Sequence, residues 1–245
     1  MTLDEELKRV QERMSECIER ANGLQEKNGS NNSTLKEVMA EYRELRGREE
    51  WLKESIKKRD ITAKKIRNQS NLGIRFKKRT FDTFEQDKQP RAFKVCKWYA
   101  DNFLEVRSKD KNSIVLMGSC GTGKTHLVAS ITNSVIDSFG IQVCFATWSE
   151  HLERLKAEYN TKKSDYLEIM KNVELLVIDD YGQEKRSEWT DEILFSVVNA
   201  RYEKCLPILM TTNLNNLTGR MRESVQSRLL EMAAIERVDG KDYRS

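Results

Sequence analysis

The chain has 245 residues, 33% of them charged and 38% hydrophobic, with a net charge of +4. This composition suits one large domain, or a medium domain with a helical appendage, and no apolar run approaches the ~18 residues of a membrane span or resembles a secretory leader. The five cysteines are scattered, no C-x-x-C pair occurs and there are only two histidines, which argues against a zinc or disulfide framework and for a reducing, cytoplasmic setting.

Leu3, Leu7, Val10, Met14, Cys17, Ala21 and Leu24 follow a 4–3 apolar spacing, the seam of one helix. The polar stretch NGSNNS at 28–33 interrupts it, and a second seam runs through Leu35, Val38, Tyr42, Leu45, Glu49, Leu52 and Ile56. Two such helices predict an antiparallel hairpin or small bundle. Neither buries its stripe alone, so each packs on its neighbour or on a partner protein. Between residues 51 and 80, eleven basic side chains face only two acidic ones. This is a solvated face or linker, or a nucleic-acid contact. NQSNLG at 68–73 marks the expected domain boundary.

Phe81 and Phe84 anchor the TFDTF stretch, and Arg91 to Phe103 has helical spacing (Val95, Tyr99, Phe103). SIVLMGSCGTGKT then joins an apolar strand to a glycine-rich turn and a helix start. Its G-x-x-x-x-G-K-T spacing, Gly118 through Gly123, Lys124 and Thr125, fits phosphate binding. Gly118, Gly121 and Gly123 let backbone N–H groups curl around an anion, and the helix N-terminus adds positive potential. Lys124 reaches the outer phosphates, and the Thr125 hydroxyl suits Mg²⁺.

A helix is expected over Thr125–Phe139, a strand over Val143–Thr147 and a helix carrying Leu152 and Leu155. KAEYNTKKS at 156–164 reads as an exposed insertion. VELLVIDD at 173–180 predicts a third strand, Trp189–Lys204 a helix, LPILMTTN at 206–213 a fourth strand, and 215–238 helical pieces with a short closing strand. Alternating strands and helices predict an α/β fold, a parallel sheet with helices on both faces.

The strand Leu175–Ile178 delivers Asp179 and Asp180 to the carboxyl end of that sheet, where open parallel sheets bind ligands. Asp179 suits Mg²⁺, largely through water. Asp180 suits a role orienting the attacking water. A phosphate loop about 55 residues upstream makes nucleotide hydrolysis the natural reading of the pair. Asn213, ending the fourth strand, fits either a hydrogen bond to the γ-phosphate or water, or simple turn chemistry.

These residues carry a resemblance. RFKKRTFDTF, YADNF, GSCGTGKTH, LLVIDDYGQE followed by SEW, RYEKCLPILMTTNL, SRLLEM and DYR occur in the order found in AAA+ ATPases of the bacterial DnaC- and DnaI-like helicase-loader group, which includes IstB-type transposition helpers. The resemblance covers roughly 74–245 and implies an AAA+ P-loop domain behind an N-terminal helical, coiled-coil-like domain. The divisions are 1–67 (helical, partner-binding), 68–79 (basic linker) and 80–245 (ATPase). It implies ATP and Mg²⁺ as cofactors. Gly118, Ser119, Cys120, Gly121, Thr122, Gly123, Lys124, Thr125 and His126 are similar to the Walker A contacts, and Asp179 and Asp180 to Walker B, with Thr125 and Asp179 on the metal. Asn213 resembles sensor 1, Arg228 in SRL the arginine finger acting on a neighbouring subunit, and Arg244 in DYR sensor 2. From sequence spacing alone Arg228 reads as a surface arginine on a helix and Arg244 as a tail residue; the roles come from the resemblance. Many AAA+ enzymes carry Asp-Glu in Walker B, whereas this chain carries Asp-Asp, which implies looser water positioning and slow turnover.

The implied partners are a replicative DNA helicase through the N-terminal helices, single-stranded DNA, and other copies of the ATPase domain when ATP is bound. The candidate DNA contacts are Lys156, Tyr159, Lys162 and Lys163, where basic and aromatic groups interleave. A transposition helper that acts on duplex DNA, and an adaptor that binds nucleotide without hydrolysing it, remain the alternatives.

Overall fold

A computed structural model describes residues 3–27, 33–70, 72–161 and 165–240. Contacts divide the chain into two compact units, Met1–Thr62 and Ala63–Ser245.

In the first unit, α1 (Leu3–Lys27) lies antiparallel to the part of the longer α2 (Ser33–Gln69) that precedes Ala63. The two heptad seams cover each other. Val10, Cys17 and Ala21 of α1 and Val38, Leu45 and Leu52 of α2 are buried together, flanked by Leu3, Leu7, Met14, Leu24, Leu35 and Tyr42. Of the two ways expected for these stripes to be buried, the chain uses packing on the neighbouring helix. Arg13–Glu41 (2.7 Å), Arg48–Glu6 (2.5 Å) and Arg59–Asp4 (2.6 Å) border the seam and set its register. Glu49, polar within the seam, accepts from Gln11 across the hairpin and pairs with Lys53.

The second unit carries a five-stranded, wholly parallel sheet in the order β2-β3-β4-β1-β5. Its strands are β1 (Ser113–Met117), β2 (Val143–Thr147), β3 (Leu175–Tyr181), β4 (Ile208–Thr212) and β5 (Ala233–Arg237). Successive side chains of a strand point to opposite faces. Here both faces are covered, which is why the strands read as unbroken apolar runs. Ile114, Leu116, Leu175 and Val177 join one core with α4 (Pro90–Asp101) and α6 (Lys124–Phe139). Val115, Met117, Leu176, Ile178 and Met210 join the other with α7 (Trp148–Thr161), α8 (Tyr166–Asn172), α9 (Glu188–Glu203) and α10 (Glu223–Met232).

Ala63, Ile66 and Leu72 also enter the first core, and Phe76 packs against it from the short α3 (Ile74–Lys77). Within the basic stretch Lys53 pairs with Glu49, Lys58 with Glu54, Arg59 with Asp4 and Asp60, and Arg67 with Asp137.

Two local expectations change. The helix expected through Phe103 ends at Asp101. Asn102 leaves helical geometry, its side-chain amide donates to the Trp98 carbonyl at 2.8 Å, and Phe103 starts the four-residue α5 (Phe103–Val106). The stretch expected as an insertion from 156 continues α7 to Thr161, because Lys, Ala and Glu propagate a helix once Leu152 and Leu155 anchor its apolar face.

Candidate nucleotide-binding site

β1 ends at Met117 between β4 and β5, and the chain leaves the sheet at Gly118 with φ +145°. A Cβ at Gly118 would lie 2.3 Å from the Val238 carbonyl oxygen, so no side chain fits where β5 runs out beside the loop. At the other end of the loop Gly123 takes φ +96° and caps α6. The free N–H groups of the first turn of α6 therefore open onto the loop, the arrangement that binds an anion. Lys124 is buried, and its Nζ donates to the carbonyls of Gly118 (2.9 Å) and Ser119 (2.6 Å). Burial lowers its pKa, while Asp180 and Cys120 oppose that shift. The Thr122 hydroxyl donates to the same Ser119 carbonyl at 2.9 Å, which holds the loop shut around its axis. Cys120 presents an exposed thiol.

β3 brings the carboxylates. Asp179 is 1% exposed, and its Oδ1 accepts from the Thr125 hydroxyl (2.9 Å) and the Thr211 hydroxyl (2.6 Å). Burial pushes its pKa up to about 6, and the neighbouring Asp180 adds to the rise, against the two hydroxyl donors. Asp180 follows in left-handed geometry, φ +51°, where the β3–β4 pairing slips between Ile178 and Tyr181. Its N–H donates to Thr211 Oγ1 at 2.9 Å. Backbone strain at a non-glycine residue beside a bulge re-aims a side chain, and such features cluster at functional sites. Asp180 and Asn213, the residue after β4, are both half-buried and face one cleft of roughly 550 Å³.

That cleft is lined by Cys120, Gly121, Thr122, Gly123, Lys124, Thr125 and His126 from the loop and helix start. Thr147, Asp179, Asp180, Gln183 and Asn213 close the carboxyl end. The opposite wall comes from the segment before α4, with Phe76, Arg79, Thr83 and Phe84 among its residues. Thr211, Gln183 and this wall were not anticipated. The one hint of Thr211 was a polar pair, Thr211–Thr212, inside an otherwise apolar strand. His126 turns toward the wall, its Nε2 3.0 Å from the Thr80 carbonyl and its Nδ1 3.0 Å from the Arg79 guanidinium. Burial, with Arg79 beside it, lowers its pKa.

Of the remaining expected residues, Arg228 and Lys156 are described and do not line the cleft. Arg228 lies on α10, its guanidinium 5.6 Å from the ring centres of both Phe195 and Tyr202, and it donates to the Ser224 carbonyl at 3.0 Å. Lys156 stacks on Trp189 at 5.3 Å. Lys162, Lys163, Arg244 and the side chain of Tyr159 lie outside the described residues.

The donor set fits a magnesium-bound nucleoside triphosphate. The loop N–H groups and Lys124 suit the phosphates. Thr125 and Asp179 present two hard oxygens 2.9 Å apart, and the ionised form of Asp179 is one that a cation stabilises. Among the described residues no cluster of three or more His, Cys, Asp or Glu that could hold a metal ion occurs. Among the same residues no helix is long and apolar enough to cross a membrane.

Comparison with known proteins agrees with this geometry. The chain is 31% identical over 154 residues to the uncharacterised protein YqaM of Bacillus subtilis (strain 168), covering 59% of this chain and about half (49%) of YqaM. It is 28% identical over 159 residues to the replicative helicase loader DnaC of Escherichia coli (strain K12), covering 59% of this chain and 64% of DnaC. A crystal structure of the DnaC helicase loader superposes with a TM-score of 0.61 at 26% identity, covering 68% of this chain and 99% of that one. The fold is that of an AAA+ ATPase domain. The model of the IstB-like ATP-binding proteins matches residues 32–244, and the chain belongs to that family.

Proposed function

We propose that the chain is an ATP-dependent loader that delivers a replicative DNA helicase to single-stranded DNA, with slow ATP hydrolysis as its switch. The observation that carries this reading is the convergence of Lys124, Thr125, Asp179, Asp180 and Asn213 on one cleft, in a chain similar through that region to a replicative helicase loader. Lys124 and the α6 N-terminus balance the phosphate charge. Thr125 and Asp179 would hold Mg²⁺, which would supply charge neutralisation to the phosphates. Asp180 orients the water that attacks the γ-phosphorus as the bond to ADP breaks, and Asn213 hydrogen-bonds that water or the γ-phosphate.

Asp180 is one methylene shorter than the glutamate common at this position, so a basal kcat well below the ordinary enzyme median of ~10 s⁻¹ is expected. A basal rate at or above that value defeats the switch reading. Arg228 lies outside its own chain's cleft, consistent with a role on a neighbour's nucleotide, where an arginine clamps phosphate oxygens. Arg244 completes the set as sensor 2. The N-terminal hairpin grips the helicase, and Lys156 with Tyr159, Lys162 and Lys163 meets DNA.

The test is copurification of the full chain with the host's replicative helicase, with and without ATP and single-stranded DNA. Retention of the helicase with ATP, and its release on hydrolysis in the presence of DNA, supports the loader. Capture of a transposase in place of the helicase favours the transposition helper. Full helicase delivery by Lys124→Ala and Asp180→Asn favours a non-hydrolysing adaptor.

A further inference from the structure

The wall of the cleft opposite the carboxylates belongs to no sheet. From Phe76 in α3 to Glu85 the backbone makes local turn bonds, such as Arg79 N–H to Phe76 (3.0 Å) and Phe84 N–H to Phe81 (3.2 Å). What ties it to the phosphate loop is one face of α6. His126 and Asn133 stand seven residues apart, two helical turns, and so share that face. Asn133 is 2% exposed, and its Nδ2 donates to two wall carbonyls, Phe76 at 3.0 Å and Arg79 at 2.8 Å. His126 accepts from Arg79 at Nδ1, so its proton sits on Nε2 and points to the Thr80 carbonyl (3.0 Å) and the Thr83 hydroxyl (3.1 Å). The Phe84 ring meets the imidazole edge-on at 5.1 Å. The carbonyls of Phe76, Arg79 and Thr80 and the Thr83 hydroxyl are thus met by two side chains of the helix whose N-terminus forms the phosphate site.

Asn133 carries a cost that a packing residue would not. Its Oδ1 is buried with no hydrogen-bond partner among the described residues, and an orphaned buried acceptor costs about 1–3 kcal/mol. A leucine would fill similar space without that penalty. The amide is therefore kept for its two donors. Asn133 does not line the cleft, whereas Phe76, Arg79, Thr83 and Phe84 do. With the phosphates on the loop and the γ-phosphate toward Asp180, this wall is the surface left for the nucleoside.

We infer that Asn133 and His126 are positioning residues that lock the nucleoside wall to the phosphate loop, so that the site discriminates a nucleotide from a bare polyphosphate. The inference rests on the cleft binding ATP. It is tested by calorimetric titration of the full-length protein with ATP and with inorganic tripolyphosphate, both with Mg²⁺. Asn133→Leu weakens ATP binding about tenfold, the equivalent of one or two lost hydrogen bonds, and leaves tripolyphosphate within about twofold of wild type, while His126→Leu weakens ATP binding to a similar extent. His126→Gln, whose side-chain amide again offers a donor to Thr80, recovers most of the ATP affinity. Faster amide exchange over 76–84 in the leucine variants accompanies the loss.

Equal weakening of both ligands marks a general structural role and overturns the inference, as does wild-type ATP affinity in both leucine variants. Should Asn133→Leu not fold, the loss of ATP affinity in His126→Leu and its recovery in His126→Gln decide; no loss, or no recovery, overturns the inference. Wild-type protein that binds neither ligand overturns the nucleotide reading, and the inference with it. Wild-type binding with indifferent variants overturns the inference only.

Discussion

Replacing Asp179 by asparagine tests whether this buried carboxylate is held at a cost to the fold. In the native state burial raises its pKa from 3.8 to about 6. Between those values the native protein keeps a proton that the unfolded chain has released. The group's contribution is therefore favourable below pH ~4 and is lost as pH rises through ~6. A rise of that size is worth ~3 kcal/mol at neutral pH. The amide of the Asp179→Asn variant would still accept from Thr125 and Thr211 but would carry no charge. Its unpaired N–H₂ returns part of the gain, about 1–3 kcal/mol. The stability difference, variant minus wild type, therefore grows by up to ~3 kcal/mol from pH 4 to pH 7 and is flat above. Urea denaturation of the ligand-free proteins in EDTA, followed across that range, measures it. Mg²⁺ and ATP then stabilise the wild type by mass action and the variant far less. A difference that does not change with pH refutes the argument, because the carboxylate would then be solvated as well in the fold as out of it.

Gly118→Ala places a methyl group 2.3 Å from the Val238 carbonyl, so it should displace the end of β5 from the loop and abolish ATP binding, read by calorimetry together with a fall in Tm of several degrees. Arg228→Ala should leave ATP binding by isolated protomers within about twofold of wild type and remove hydrolysis stimulated by assembly; stimulation that survives sinks the role in trans. His151 is buried between the Tyr166 hydroxyl and the Val177 carbonyl, both at 2.8 Å, and burial lowers its pKa to about 4. The unfolded chain takes up that proton first, so stability falls by up to ~3 kcal/mol as pH drops from 6.5 to 4. His151→Gln should flatten that limb of the stability profile, and an unchanged limb refutes the assignment.

Much of the fold was legible because its signals are local. The phosphate loop is a contiguous spacing, and its strand and helix flank it directly. β3 announces itself as an apolar run ending in two carboxylates. Heptad spacing in α1 and α2 predicted their seams, and in the structure each seam is covered by the neighbouring helix. The same local logic failed after Leu155, where a polar stretch read as a loop is helix to Thr161. Polarity reports exposure there, and an exposed helix face is as polar as a loop.

The amino-acid sequence by itself determined a nucleotide-binding parallel α/β domain behind two amphipathic helices, because loop chemistry and hydrophobic period are properties of neighbouring residues. Tertiary structure alone decided which groups those residues meet. Thr211 reaches Asp179 across 32 positions of chain, and Asn133 reaches Phe76 across 57. No spacing along a strand or helix encodes such a meeting; strand order and helix packing create it. The carboxylate's raised pKa and the second wall of the cleft follow from those encounters, and so does the separation of Arg228 from its own chain's site.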